Sequence, residues 1–166
     1  DLTGGFIDDD IVTCTVTPSD GTDDGIPVSE SIEVDNTAPS VELVNISSAT
    51  ADYSDTLHCV WSGFHDDDGD SDWSFVQWHN GDGVLLGEED TLSGAFLGGD
   101  AVTCTVTPHD GKEDGVPVTS TPVVIDNSPP TLEAVSLTPI ESTVEDVLSC
   151  VPGVTTDPDE TTDFTY

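Results

Sequence analysis

The segment DAVTCTVTPHDG, residues 100–111, decides the fold class because its side chains alternate with a period of two. Val102, Cys104 and Val106 occupy one set of positions, and threonines occupy the other. Successive side chains of a β-strand point to opposite faces, so the pattern predicts one buried apolar face and one face of hydroxyl groups. Pro, Asp and Gly at the end of the segment predict a turn after this strand.

The chain contains this segment twice, because DIVTCTVTPSDG at residues 10–21 matches it almost letter for letter. Two further pairs recur at the same spacing of 90 to 91 residues: VDNTAP (34–39) with IDNSPP (125–130), and DTLHC (55–59) with DVLSC (146–150). A period of this length fits one β-sandwich domain. We therefore predict an all-β chain of tandem sandwich repeats of about 90 residues.

The repeat boundaries follow from this alignment. Residues 1–37 are predicted to be the C-terminal half of one repeat, residues 38–127 a complete repeat, and residues 128–166 the N-terminal half of the next. In the complete repeat the alternation predicts strands A to G, with helices almost absent, at 41–46, 56–61, 73–79, 84–86, 91–96, 101–108 and 116–125.

The cysteines of the complete repeat refine the fold prediction. Cys59 lies on predicted strand B, Trp78 on strand C and Cys104 on strand F, which is the immunoglobulin-like order of Cys, Trp and Cys. We predict immunoglobulin-like β-sandwiches, a disulfide between Cys59 and Cys104, and core positions for Trp61 and Trp78. A disulfide also predicts an extracellular or cell-surface, secreted protein.

On these segments, together with WSFVQWHNGDG (73–83) and the repeat starts NTAP and NSPP, the chain resembles a known family. It is similar to the tandem immunoglobulin-like repeats of large secreted bacterial surface proteins and adhesins, close in style to cadherin-like and PKD-like repeats. The resemblance implies spacers, stalks, adhesins or fibre subunits, many of which bind calcium between repeats. The cysteine pair is not general in those families, and the linkers lack the fuller acidic motif of cadherins.

The charge of the chain limits its partners. There are 35 acidic residues against one base, Lys112, which gives a formal net charge of -34. Such a polyanion repels nucleic acid and anionic membranes, and no apolar run reaches the ~20 residues that cross a bilayer. Divalent cations are the natural counterions, although an acidic surface also serves solubility in a salty medium.

Acidic residues recur at matched loop positions of the predicted repeats. The segment HDDDGDSD (65–72) is matched by TDPDETTD (156–163), and the strand F to G loops and the linkers also repeat their acids. In a seven-stranded sandwich these loops meet near the preceding linker, so we predict Ca²⁺ at each junction, with solvated acidic turns as the alternative. The predicted ligands of the first junction are Asp35 or Asn36 with Asp66, Asp68, Asp72, Asp110, Glu113 and Asp114, and those of the second are Asp126 or Asn127 with Asp157, Asp159 and Asp163.

Other candidate sites are less specific. The four histidines lie on different predicted elements, and no Ser, His and acid set is suggested by spacing, so we predict no enzyme. Trp73 and Phe75 are either core residues or a sugar-binding platform, and Asn45 begins an N-glycosylation sequon, so a glycan is a possible partner.

Cys14 and Cys150 lack a partner in their own predicted half-repeats, so each is expected to pair with the continuing parent chain or with a neighbouring copy. Two functions remain open at this point. One is a structural rod, stalk or fibre, stiffened by Ca²⁺ and disulfides. The other is an adhesive or carbohydrate-binding module.

Overall fold

The computed structural model describes residues 2–159, and all its helix or strand assignments in that range are strands. The prediction of an all-β chain is therefore confirmed. The chain divides into two compact units of three segments each. The first unit comprises Asp1–Val44, Trp61–Phe75 and Thr105–Val118, and the second comprises Asn45–Val60, Val76–Cys104 and Thr119–Tyr166.

Residues 43–124 form two sheets. The strands of this range follow β1 (Ile11–Val16) and β2 (Val28–Glu33), and they are β3 (Leu43–Ile46), β4 (Thr56–Ser62), β5 (Phe75–His79), β6 (Leu85–Gly87), β7 (Thr91–Ser93), β8 (Ala101–Thr107), β9 (Val118–Thr119) and β10 (Val123–Val124). The three-stranded sheet has the order β3-β4-β7, and the five-stranded sheet has the order β10-β8-β5-β6, with β9 also paired to β8.

Two predicted strands are shorter or broken for identifiable reasons. Predicted strand G, residues 116–125, is divided into β9 and β10, because Pro117 and Pro122 have no amide to donate to a sheet. Predicted strand E, residues 91–96, ends early as β7 because Gly94 adopts a φ of 66°.

The core of the second unit lies around a disulfide. Leu57, Trp78 and Cys104 are fully buried. Val102 on β8 and Ile125, which directly follows β10, are also buried. The predicted disulfide between Cys59 and Cys104 is present, with a Cα–Cα separation of 6.1 Å, and it links β4 to β8 and so one sheet to the other. Several sheets with buried apolar faces and this cross-link are compatible with a β-sandwich.

The tryptophans differ in burial. Trp78 is in the core as predicted, and its indole N–H donates to the Glu89 carbonyl at 2.8 Å. Trp61 was predicted to lie in the core, but it is half-buried because its indole N–H donates to Asp72 Oδ2 at 3.1 Å. A hydrogen bond to a loop carboxylate keeps this ring at the edge of the core.

Three two-stranded sheets make up the rest of the strand structure within residues 2–159. They are β1 (Ile11–Val16) with β2 (Val28–Glu33), β11 (Thr131–Leu132) with β14 (Thr155–Thr156), and β12 (Val135–Thr138) with β13 (Ser149–Pro152), all antiparallel. On the β1–β2 hairpin, Thr13 and Thr15 hydroxyls form hydrogen bonds with serine hydroxyls of β2 at 2.8 and 2.7 Å. The alternation of β1 therefore places its hydroxyl face and its apolar face on opposite sides of the hairpin.

Candidate metal sites in two acidic clusters

The first cluster lies within the first unit. It consists of Asp8, Asn36, Asp66, Asp68, Asp70, Asp110 and Lys112. Its acids come from loops and a linker because turn-forming sequences rich in Asp and Gly lie between the strands.

Asp110 fixes the loop after β8. Its Oδ1 accepts the amides of Lys112 and Glu113, both at 2.7 Å. In the loop after β1, Asp20 Oδ1 accepts the amides two and three residues later in the same way, at 2.9 and 3.0 Å. The repeated sequence thus folds into the same Asp-closed turn at both places.

Asp110 also holds the linker. Its Oδ2 accepts a hydrogen bond from Asn36 Nδ2 at 2.9 Å, and the residue is 4 % exposed. Burial raises the pKa of Asp110, but the hydrogen bonds from Asn36 and from the loop amides outweigh burial and lower the pKa to about 2. Asp110 is therefore a carboxylate at neutral pH despite its burial.

Asp68 joins two segments that are distant in sequence. Its Oδ1 accepts the amide of Asp8 at 3.0 Å, and its Oδ2 accepts the amide of Thr37 at 2.7 Å. Its own amide donates to Asp66 Oδ1 at 2.9 Å, and that oxygen also accepts the amide of Asp70 at 3.0 Å. The 65–72 loop is therefore fixed internally by one aspartate and tied to two other segments by another.

The second cluster lies within the second unit and consists of Gly98, Asn127, Ser128, Asp157 and Asp159. Asp159 Oδ1 accepts the amide of Gly98 at 2.6 Å, and Oδ2 accepts the amide of Ser128 at 2.5 Å. The amide of Asp159 donates to Asp157 Oδ1 at 2.9 Å.

The two clusters share one hydrogen-bond pattern at repeat spacing. Asp159 and Ser128 follow Asp68 and Thr37 by 91 residues, and Gly98 follows Asp8 by 90. In each cluster one aspartate accepts an amide from the loop before a Val-Thr-Cys-Thr-Val strand and an amide from the linker. The recurrence of the acids in the sequence is therefore matched by a recurrence of their contacts.

One position differs between the clusters. A Cβ at Gly98 would lie 2.7 Å from the Asp159 carboxyl carbon and 2.9 Å from Asn127 Cα, so this position requires glycine. The first cluster has Asp8 there, with its side chain turned to Lys112.

Lys112 supplies the positive charge of the first cluster. Its ammonium contacts Asp8 Oδ2 and lies 3.0 Å from Asp70 Oδ2. Asp8 is 8 % exposed, so the lysine compensates a buried charge. The pKa of Asp70 is nevertheless raised, first by burial and then by the charges of Asp66, Asp110, Asp68 and Asp9. Negative charge in this cluster thus exceeds what one ammonium offsets.

Two oxygens of the first cluster could serve a cation. Asn36 Oδ1 and Asp66 Oδ2 are buried and accept no hydrogen bond from the described residues. A buried polar atom without a partner costs roughly 1–3 kcal/mol, and a bound cation would remove that cost. Amide and carboxylate oxygens are ligands that Ca²⁺ prefers.

Several predicted ligands are engaged elsewhere. Asp72 accepts hydrogen bonds from Trp61 and Ser74, and although burial raises its pKa, these bonds lower it overall. Asp114 lies 2.9 Å from His109 Nδ1. The exposed residues Asp35, Glu113 and Asp126 are adjacent to the clusters in sequence. Asn127 belongs to the second cluster, where its Nδ2 donates to the Ser128 carbonyl at 2.9 Å.

Asp163 lies outside the described residues. Within residues 2–159, no three His, Cys, Asp or Glu residues form a group that could hold a metal ion by themselves. Asn36 supplies an amide oxygen, which belongs to none of these residue types.

Sequence reasoning did not select Asp8, Asp70 or Lys112. Asp8 corresponds to Gly98 and Lys112 to Thr22, so the repeat pattern gave no indication of either. The position of the only Lys or Arg residue inside an acidic loop was the one available indication that it balances charge there.

The remaining predicted sites are exposed. Trp73 is 67 % and Phe75 43 % exposed, so neither lies in the core, and the Phe75 ring meets His109 edge-on at 6.5 Å. Asn45 is exposed on β3, and Cys14 and Cys150 are exposed free thiols.

No protein-family model matches the chain, and no curated protein matches it in sequence. Among the described residues there is no helix long and apolar enough to span a membrane.

Proposed function

We propose that the chain is part of a structural extracellular protein, a rod, stalk or fibre of immunoglobulin-like repeats at the cell surface. Calcium would stiffen the junctions between repeats, and disulfides would hold the sandwiches together. The observation that carries this proposal is the shared hydrogen-bond pattern of the two acidic clusters, in which Asp68 and Asp159 tie a loop and a linker together. A repeated connection of this kind suits a protein whose role is to keep successive repeats in a fixed geometry.

The disulfide supports the proposal of immunoglobulin-like repeats and of a location outside the cell. Cys59 and Cys104 link two sheets, and Trp78 is fully buried, as expected for an immunoglobulin-like sandwich. Disulfides persist mainly in oxidising environments, which favours a secreted or surface location.

The charge and the two unpartnered oxygens support calcium. Of the predicted ligands, the first cluster contains Asn36, Asp66, Asp68 and Asp110, and the second contains Asn127, Asp157 and Asp159. The ion would relieve repulsion that reaches about 1–4 kcal/mol for each close carboxylate pair.

Calorimetric titration with Ca²⁺ tests this proposal. Extracellular calcium modules bind with a Kd of ~10⁻⁴ to 10⁻³ M, and we expect that range here. The variant Asp66→Asn keeps an oxygen for the two loop amides but replaces the unpartnered Oδ2 with an NH₂ group, which cannot bind a cation. It should weaken binding at the first cluster by about tenfold.

Asp67→Asn is the matched control, because it removes the same charge one residue away, where the side chain is 69 % exposed. Calcium binding should be nearly unchanged in this variant. Equal binding by both variants, or no heat above that of a salt control, would refute the calcium proposal.

A second candidate function, an adhesive or carbohydrate-binding module, is favoured by the exposure of Trp73 and Phe75. Two exposed aromatic residues at alternate positions can stack on a sugar ring. Binding to immobilised glycans that is lost in Trp73→Ala, but retained when the exposed Tyr53 is changed to alanine, would establish this role. Absence of glycan binding by the unaltered chain would dismiss it.

A further inference from the structure

Apolar positions that are buried in residues 38–127 have exposed counterparts on the β1–β2 and β12–β13 hairpins. Val106 of β8 is 0 % exposed, whereas Val16, its counterpart 90 residues earlier on β1, is 62 % exposed. Leu57 of β4 is 0 % exposed, whereas Leu148, 91 residues later and just before β13, is 53 % exposed. The β1–β2 hairpin thus exposes the apolar face that is buried on β8, and the β12–β13 hairpin exposes the apolar face that is buried on β4.

The cysteines follow the same correspondence. Cys14 of β1 matches Cys104 of β8, and Cys150 of β13 matches Cys59 of β4. Cys59 and Cys104 are joined in a disulfide, whereas Cys14 and Cys150 are exposed free thiols. The two hairpins therefore carry the two cysteines that correspond to one Cys59–Cys104 disulfide.

We propose that the β12–β13 hairpin of one copy packs against the apolar face of β1–β2 of a second copy, and that Cys150 of the first forms a disulfide with Cys14 of the second. We choose a second copy of the chain as the partner because β4 and β8, the counterparts of β13 and β1, are already joined by the Cys59–Cys104 disulfide. The two hairpins are different surfaces, so the contact is head-to-tail and can extend to further copies.

The inference goes beyond the proposed function, since it concerns how copies join and requires no calcium.

Formation of the bond requires an oxidant, which a small disulfide such as oxidised glutathione supplies. The Cys14 and Cys150 thiols lose two protons and two electrons and form one S–S bond. The S–S bond of glutathione accepts them and becomes two thiols.

Single-cysteine variants test the proposal in a glutathione buffer. Cys14→Ser retains only the Cys150 thiol, and Cys150→Ser retains only the Cys14 thiol. Each alone should stay monomeric on non-reducing electrophoresis, whereas an equimolar mixture should give a dimer and no larger species. The unaltered chain should give a ladder that collapses on reduction, and peptide mass analysis should find Cys14 bonded to Cys150.

Homodimers formed by either variant as readily as by the mixture would show non-specific oxidation and overturn the proposal. Monomers throughout would overturn it as well. Retention of calcium binding in these variants separates this result from the proposed function.

A second pair of variants distinguishes the contribution of the apolar face to dimer formation from that of the thiol. Val16→Asp places a charge on the proposed contact face and should lower the yield of mixed dimer about tenfold. Thr15→Asp is the matched control on the hydroxyl face of the same strand, and it should leave the yield within about twofold. Equal losses in both variants would contradict packing through the apolar face.

Discussion

Replacement of Asp68 by asparagine should loosen the first cluster far more than the same change at the neighbouring Asp67. Asp68 accepts the amides of Asp8 and Thr37 at 3.0 and 2.7 Å. Asparagine retains one carbonyl oxygen, so one of the two amides loses its acceptor. A hydrogen bond to a charged group contributes roughly 1.5–3 kcal/mol, and we expect a loss of stability in that range.

For a chain of this length such a loss lowers the Tm by about 3–10 °C. Asp67 is 69 % exposed, and its side chain forms a hydrogen bond with the His65 ring at 3.0 Å, so Asp67→Asn should change stability by less than about 0.5 kcal/mol. It can even stabilise the fold slightly, because it removes one negative charge from a chain with a formal net charge of -34.

The assay is thermal unfolding of both variants in excess chelator, so that calcium does not contribute. Amide hydrogen exchange provides the residue-level measurement, because the amides of Asp8 and Thr37 should exchange faster in Asp68→Asn alone. Equal Tm shifts in the two variants, with unchanged exchange at both amides, would refute the role assigned to Asp68.

Three further predictions concern other parts of the chain. The folded-state pKa of Asp110 is about 2, below the ordinary value of 3.8, so the stabilisation by its carboxylate is present above about pH 4 and is lost as the pH falls towards 2. The Tm difference between the unaltered chain and Asp110→Asn should therefore shrink over that interval, and a constant Tm difference would contradict the lowered pKa. Reduction of the disulfide, or Cys59→Ala, should cost roughly 4 kcal/mol by the chain-entropy relation for a separation of 45 residues, measured by urea unfolding, and a change below about 1 kcal/mol would contradict it. Gly98→Ala should lower the free energy of unfolding by about 1–3 kcal/mol, because its Cβ would meet the Asp159 carboxyl carbon at 2.7 Å. Gly81→Ala, whose Cβ has its nearest contact at 3.6 Å, should leave stability nearly unchanged, and similar unfolding curves for the two variants would contradict the close approach at Gly98.

The parts of the structure that could be predicted from sequence depend on local pattern. The alternation of Val102, Cys104 and Val106 specified both the strand and its buried face. The order of Cys59, Trp78 and Cys104 specified the disulfide. The strand and its buried face follow from the two-residue period of a β-strand, which needs no knowledge of distant neighbours. The disulfide joins residues 45 apart, and its prediction depended on the immunoglobulin-like order of Cys, Trp and Cys.

The parts that could not be predicted depend on contacts between distant segments. Asp8 pairs with Lys112, 104 residues away, and the corresponding positions of the repeat, Gly98 and Thr22, carry no charge. The exposure of Trp73 also depends on tertiary packing, since its position on a predicted strand fits a core residue equally well. Among the predicted ligands, spacing did not distinguish Asp66, which keeps an unpartnered oxygen, from Asp72, which is engaged by Trp61 and Ser74.

Solution X-ray scattering measures whether calcium stiffens the proposed junctions between repeats. The maximum dimension of the disulfide-intact chain should be measured in about 10 mM calcium and in excess chelator at matched ionic strength, with strand content followed by circular dichroism. We expect one sharply defined, longer dimension with calcium and a shorter, broader distribution of dimensions with chelator, at unchanged strand content. Scattering curves that superimpose under the two conditions would contradict it.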